Sequence, residues 1–223
     1  FKSLKMIVFA GGEPTMSDEH VYVLQHLIDI GHTQVHMKIS TNGHVVEFKN
    51  HNLIELWKHF PNLSLQLSID AIGQRAEAVR SGTDWTLVEH NIQLVRQAGI
   101  KHHANVTVSA LNIWWMDETV EYLKSQLKIH RVLYNLLYNP DILSIKVIPR
   151  KYRAMVDKVL SKCLEIDPSI AQIKTYFDQH QDDALWQSFL IYNLMLDITR
   201  KEKLFENLPI KKDLIDTWVR KQI

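Results

Sequence analysis

Residues 6–16 read MIVFAGGEPTM. Met6 to Phe9 form an apolar run of strand length, the pattern of a buried strand. Ala10-Gly11-Gly12 end that run abruptly. Glu13-Pro14-Thr15 follow, and Ser17-Asp18-Glu19 then open a segment of helical period, with Ser17 placed as its N-cap. The stretch therefore reads as a strand, a tight glycine turn, one carboxylate and a helix start. Two adjacent glycines admit positive φ and let a ligand come close to the main chain. Glu13 stands at the mouth of the strand, where a carboxylate can hold an ammonium group. Taken alone, the same residues also fit an ordinary βα turn with an exposed glutamate.

Working outward, Leu24, Leu27 and Ile28 form one face of a helix that Gly31 ends. A second strand, 35–40, alternates Val35, Met37 and Ile39 with His36, Lys38 and Ser40, and Thr41-Asn42-Gly43 closes it. A loop leads to a short helix near 53–59, stopped by Pro61. The third strand, 63–70, places Leu63, Leu65, Leu67 and Ile69 on one face and Ser64, Gln66, Ser68 and Asp70 on the other. A loop containing Gly73 and Gly82 precedes a helix over 85–98 with Trp85, Val88, Ile92 and Val95 on one side. The fourth strand, 103–109, carries Asn105, Thr107 and Ser109 on its polar face. A helix with Met116, Val120, Leu123 and Leu127 follows, with Trp114-Trp115 anchoring its start. Strand-like runs then occur at 131–135 and 143–148. Beyond Pro149 the pattern is helical: 152–164, a restart at Asp167-Pro168, and 184–200, before a basic tail.

The order βαβαβαβαβ predicts parallel strands joined by helices. Fully buried parallel strands read as continuous apolar runs. Here the second, third and fourth strands have one polar face, which must line something wet or filled by ligand. An α/β fold of the partial (β/α)6 barrel type fits better than a doubly wound sheet, with residues 1–149 as the barrel and 150–223 as a helical C-terminal extension. Glu13, Asn42, Ser68, Asp70 and Asn112 all fall at strand C-terminal ends, where α/β folds place their sites.

The chain has 223 residues, 46% of them hydrophobic, and a formal net charge of +1. That balance points to neither nucleic acid nor an acidic surface as partner. No apolar run is long enough to span a membrane. The one cysteine, Cys163, excludes an internal disulfide or a cysteine-only metal site built by this chain alone. It lies on a helical stripe with Tyr152, Met155, Val156, Val159, Leu160 and Leu164, as a buried, inert thiol would. His102 and His103 point to opposite faces of a strand and do not share a metal.

GGEPT, STNG and SIDA occur in order, each at a strand end, and the third is followed by QRAEAVRSG and Asp84-Trp85. This set resembles the radical S-adenosylmethionine (radical SAM) superfamily, in its twitch or SPASM-like peptide-modifying subgroup. The resemblance runs from about Lys5 to Pro149. It implies an enzyme in which a [4Fe-4S] cluster cleaves S-adenosylmethionine and a 5′-deoxyadenosyl radical abstracts a hydrogen from a peptide or small polar substrate. The cofactor carries that chemistry and the protein positions it. By the resemblance, Gly11, Gly12 and Glu13 meet the methionyl amino group, and Thr41 and Asn42 lie beside it. Ser68 and Asp70 contact the ribose or carboxylate region, Arg80 pairs with the methionyl carboxylate, and Thr107 and Asn112 line the adenosyl end. The resemblance further implies an electron donor and a cytoplasmic enzyme with no nucleic-acid or membrane partner.

The family holds its cluster with a C-x3-C-x2-C motif, and thiolates are needed for that ligation. This chain does not contain the motif. It is expected upstream of the GGEP strand, roughly 30 to 50 residues before Phe1, about one βα unit, so the chain reads as N-terminally truncated and unable to build the cluster itself. No auxiliary cluster is expected either. Two alternatives stand beside this reading. One is a cluster-free degenerate barrel acting as a binding or partner module. The other is an unrelated barrel enzyme using Glu13 and Asp70 as acid and base.

Overall fold

The structure is a computed structural model and describes residues 3–201, 208–210 and 213. The rest of the expected basic tail lies outside the described residues. Five strands form one sheet in the order β1 (Met6–Phe9), β2 (His36–Thr41), β5 (Leu63–Ser68), β6 (Lys101–Val108) and β7 (Val132–Leu136). A two-stranded ribbon, β3 (Glu47–Phe48) and β4 (His51–Asn52), interrupts the second crossover. The pairings of β1 with β2, β2 with β5 and β5 with β6 are parallel. The helices between strands are α1 (Asp18–Asp29), α2 (Leu53–Trp57), α3 (Gly73–Val79), α4 (Trp85–Gln97) and α5 (Met116–Ser125). After β7 come α6 (Arg150–Ile166), α7 (Ala171–Gln179) and α8 (Trp186–Arg200).

The chain divides into two compact units. The first comprises 3–69, 83–105 and 124–133; the second comprises 70–82, 106–123 and the described residues from 134 onward. In the first unit, strand alternation sets the core. Met37 and Ile39 of β2 and Leu63 and Leu65 of β5 are buried with Leu24 and Leu27 of α1 and Leu53 and Trp57 of α2. Each such side chain contributes about 1.5–3 kcal/mol by leaving water. Helix α1 begins where the sequence places it: Ser17 Oγ accepts from the His20 amide at 3.1 Å, with Asp18 and Glu19 in the first turn. In α4, Asp84 accepts from the Leu87 amide at 3.0 Å.

In the second unit, α6 buries Val156, Leu160 and Cys163, and α7 buries Ile173 and Phe177. Asp167 joins the two helices. Its carboxylate accepts from the Ser169 amide and hydroxyl at 3.1 and 2.7 Å and from Tyr134 Oη at 3.2 Å, and Pro168 opens the next turn. The rings of Trp114, Tyr152, Trp186 and Phe189 pack in sequence, with centroids 5.0 to 5.9 Å apart.

Five expectations need correction. Strand β1 is not buried: it is the sheet edge, and Met6 and Val8 are 51% and 55% exposed. The loop containing Gly73 and Gly82 holds helix α3. The ribbon β3–β4 replaces an open loop. The run 143–148 forms no strand but lies in two 3-10 turns, Asp141–Leu143 and Ile145–Val147, whose Ile145 and Val147 are buried without sheet partners. Met155 points away from the Cys163 stripe and is exposed.

Candidate functional site

The first unit gathers the opening stretch and the STNG turn around one carboxylate. Gly11 and Gly12 hold φ of +85° and +54°, and a Cβ at either would meet nothing within 4 Å. The turn therefore requires glycine for its backbone angle and leaves open space beside it. Glu13 follows at the C-terminal mouth of β1. Its Oε1 accepts from the Thr15 amide at 3.3 Å, from Thr15 Oγ1 at 2.7 Å and from Thr41 Oγ1 at 2.7 Å. Its Oε2 accepts from the Asn42 amide at 2.8 Å. Four donors from β1's turn and β2's end thus fix a single anion. A carboxylate offers about four lone-pair directions, and Oε2, with one donor, keeps an acceptor direction for a cation.

The turn after β2 is itself held. Thr41 Oγ1 accepts from the Gly43 amide at 3.1 Å, and Asn42 Oδ1 accepts from the His44 amide at 2.9 Å. Asn91 of α4, 3% exposed, donates through Nδ2 to the carbonyls of Gly43 and His44 at 2.9 and 2.8 Å. The Asp84 amide donates to His44 Nε2 at 2.8 Å. Sequence reasoning did not find Asn91 or Thr15. The signal for Asn91 was a polar residue on the helical face of Val88, Ile92 and Val95.

Behind Glu13 lies His20, 1% exposed. Its Nε2 accepts from Trp57 Nε1 at 3.2 Å, and the ring meets Phe9 edge-on at 4.6 Å. Burial lowers its pKa from 6.5 to about 4, against the opposing pull of Glu13. Ser68 ends β5 half-buried, paired in register with Asn105.

The second unit carries the other candidate residues. Asp70 is 8% exposed. It accepts from Arg80 Nε at 2.9 Å and from the Thr107 amide at 2.7 Å. Burial raises its carboxyl pKa, and Arg80 and the Thr107 amide oppose that rise. Asn112 donates through Nδ2 to the carbonyls of Asp70 and Thr107, both at 2.8 Å. Its Oδ1 accepts from the Ser109 amide and hydroxyl at 2.8 and 3.3 Å. The whole Asn112 amide is engaged in tying 70 to 107–109, so its side chain positions the loop. Glu13 and Asp70 are each bound into a network of their own unit by several donors.

Cys163 is fully buried, and burial pushes its thiol up to about 12. A protonated, enclosed thiol does not fit an iron–sulfur cluster, which needs thiolates. Among the described residues no group of three or more His, Cys, Asp and Glu could hold a metal ion.

The model of the radical SAM superfamily matches residues 1–123. The chain belongs to the radical SAM superfamily. Its five-stranded parallel sheet with helical crossovers is the partial barrel of that superfamily, followed by a helical C-terminal part. The radical SAM fold is similar to that of anSMEcpe with bound AdoMet and Cp18Cys peptide, at 17% identity and a TM-score of 0.51 over 70% of this chain and 45% of that one. It is similar to SuiB of Streptococcus suis, at 17% identity and a TM-score of 0.52 over 75% of this chain and 36% of that one. Polyhistidine-tagged anSMEcpe with bound AdoMet gives 16% identity and a TM-score of 0.50 over 86% and 50%. At these identities the likeness is one of fold. The chain spans half or less of the length of these three structures. No curated protein matches it.

Proposed function

We propose that this chain is the S-adenosylmethionine-binding core of a radical SAM enzyme acting on a peptide or small polar substrate. Glu13 carries the reading. A carboxylate fixed by four donors beside an open glycine turn is built to hold an ammonium group. Gly11, Gly12 and Glu13 receive the methionyl amino group, and Thr41 and Asn42 hold Glu13 in place. Ser68 and Asp70 for the ribose or carboxylate region, and Arg80 for the methionyl carboxylate, rest on the family resemblance. Thr107 and Asn112 for the adenosyl end rest on the same resemblance, and Asn112 also ties 70 to 107 through its amide. That anSMEcpe has been captured with AdoMet and a peptide favours a peptide substrate; the twitch or SPASM-like subgroup rests on the family resemblance.

The division proposed is 1–149 for the barrel and 150–223 for the helical extension. The cluster's cysteines lie outside this chain, in a preceding βα unit. The edge position of β1, with Met6 and Val8 exposed, supports a neighbour there. An electron donor and a cytoplasmic setting belong to the same proposal; no helix of the described residues is long and apolar enough to cross a membrane. The single buried cysteine favours a second reading, a cluster-free binding module.

One experiment separates them. The full-length protein, supplied with iron, sulfide and a reductant, is assayed for 5′-deoxyadenosine release and for AdoMet affinity by calorimetry. Glu13→Gln is expected to weaken AdoMet binding at least tenfold, as loss of a charge-assisted bond of about 1.5–3 kcal/mol requires. The 223-residue chain alone is expected to release no 5′-deoxyadenosine. A full-length protein that holds no iron and cleaves no AdoMet gives the binding-module reading instead.

A further inference from the structure

The polar face of the first unit's sheet has a sign. Strand register brings Val8, Lys38, Ser64 and Lys101 into one row across β1, β2, β5 and β6. The next row is Ser40, Gln66 and His103, in which Ser40 Oγ donates to Gln66 Oε1 at 2.9 Å. His36 flanks Lys38 on β2, and Arg131 sits beside β6, its carbonyl accepting from the Ala104 amide at 3.1 Å. None of these four strands contains Asp or Glu. Lys38, Lys101 and Arg131 are exposed, and none is ion-paired among the described residues.

His103 lies in the middle of this face. Its Nδ1 meets Ser64 Oγ at 3.3 Å, and its Nε2 is buried with no partner among the described residues. An orphaned buried nitrogen calls for an explanation. Burial first, and then Arg131, His102 and Lys38, disfavour a proton on His103. Cations gathered on one face, with no acidic residue on the strands that carry it, attract an anion and are relieved by it.

We propose that this face receives a carboxylate-bearing stretch of peptide, so that the substrate is an acidic peptide. The proposal rests on the function proposed above and narrows its substrate class. Lys38 and Lys101 are two strands apart, about 10 Å. That is the reach of about three residues of extended chain, and more than one small carboxylate spans. Carboxylates two or three residues apart on a peptide meet both lysines. The chain's net charge of +1 gives no general pull on nucleic acid.

The test uses the 223-residue chain and three probes: a capped heptapeptide alternating glutamate with glycine, its lysine counterpart, and an oligouridylate of similar length. The His103 ring signal is followed by NMR during each titration, and AdoMet affinity is measured separately. The glutamate peptide is expected to shift His103 and raise its pKa, and the lysine peptide to do neither. Lys38→Glu and, independently, Arg131→Glu are each expected to weaken the glutamate peptide at least tenfold. Equal binding of both peptides, binding of neither, or preference for the oligouridylate overturns the proposal. A chain that binds AdoMet but not the acidic peptide overturns the substrate class alone. A full-length, iron-loaded protein that binds the peptide but not AdoMet overturns the proposed function.

Discussion

His20 is a neutral imidazole locked between Phe9 and Trp57, and its position sets a pH dependence of stability. Its folded pKa, about 4, lies below the ordinary 6.5 because burial disfavours the charged ring more than Glu13 favours it. The unfolded chain therefore binds the proton more readily. The stabilisation is complete above pH 6.5 and is lost as pH falls through the window from 6.5 to about 4. Two to three pKa units correspond to about 3 kcal/mol. Urea unfolding at pH 7 and pH 4.5 checks this. His20→Gln still accepts from Trp57 and is expected to lose about 2–3 kcal/mol less than the parent chain between those two pH values. Equal losses in the two proteins would remove His20 as the cause.

At the scale of elements, the turn after β2 depends on a helix far along the chain. Asn91 lies 48 residues beyond the Gly43 carbonyl that it binds. Asn91→Ala leaves two carbonyls short of a donor, at a cost of about 1–3 kcal/mol. Thermal unfolding is expected to show that loss. AdoMet affinity is expected to fall with it, since Thr41 and Asn42 ride on the same turn. An unchanged affinity at full folding would separate Asn91 from the site. This dependence also marks the limit of what the sequence discloses. The glycine turn, Glu13 and Thr41-Asn42-Gly43 were legible because each is a local pattern at a strand end. Alternation gave β2, β5 and β6, a capping serine gave α1, and the helical stripe of Trp85, Val88, Ile92 and Val95 gave α4. What Glu13 bonds to, and Asn91's reach, depend on contacts between distant segments. Helix α3 was hidden by the glycines bracketing it. The run 143–148 is rich in β-branched residues, yet 3-10 turns bury it as effectively as a strand would.

For the whole molecule, the one thiol is a reporter of integrity. Cys163 is enclosed in α6 and pushed up to about 12 by burial, so it is both inaccessible and protonated at pH 8. Ellman's reagent at pH 8 is expected to label nothing in the folded chain and one equivalent in guanidinium. Rapid labelling of the native protein would show that α6 opens or packs otherwise. The same burial bears on iron: Cys163 could serve as a cluster ligand only if this helix opened.

Strand β1 has a consequence for how the chain behaves in solution. An edge strand offers a row of backbone donors and acceptors to whatever strand comes alongside, including the same strand of another molecule. Met6 and Val8 add an apolar surface beside that row. Two restraints act against it: β1 is only four residues long, and Lys5, exposed directly before it, puts a charge at the approach. Self-association of this chain is therefore a matter of concentration and ionic strength. Sulfate or phosphate at high concentration screens Lys5 and strengthens the apolar contact, so handling in such salts favours sheet-to-sheet oligomers over the monomer.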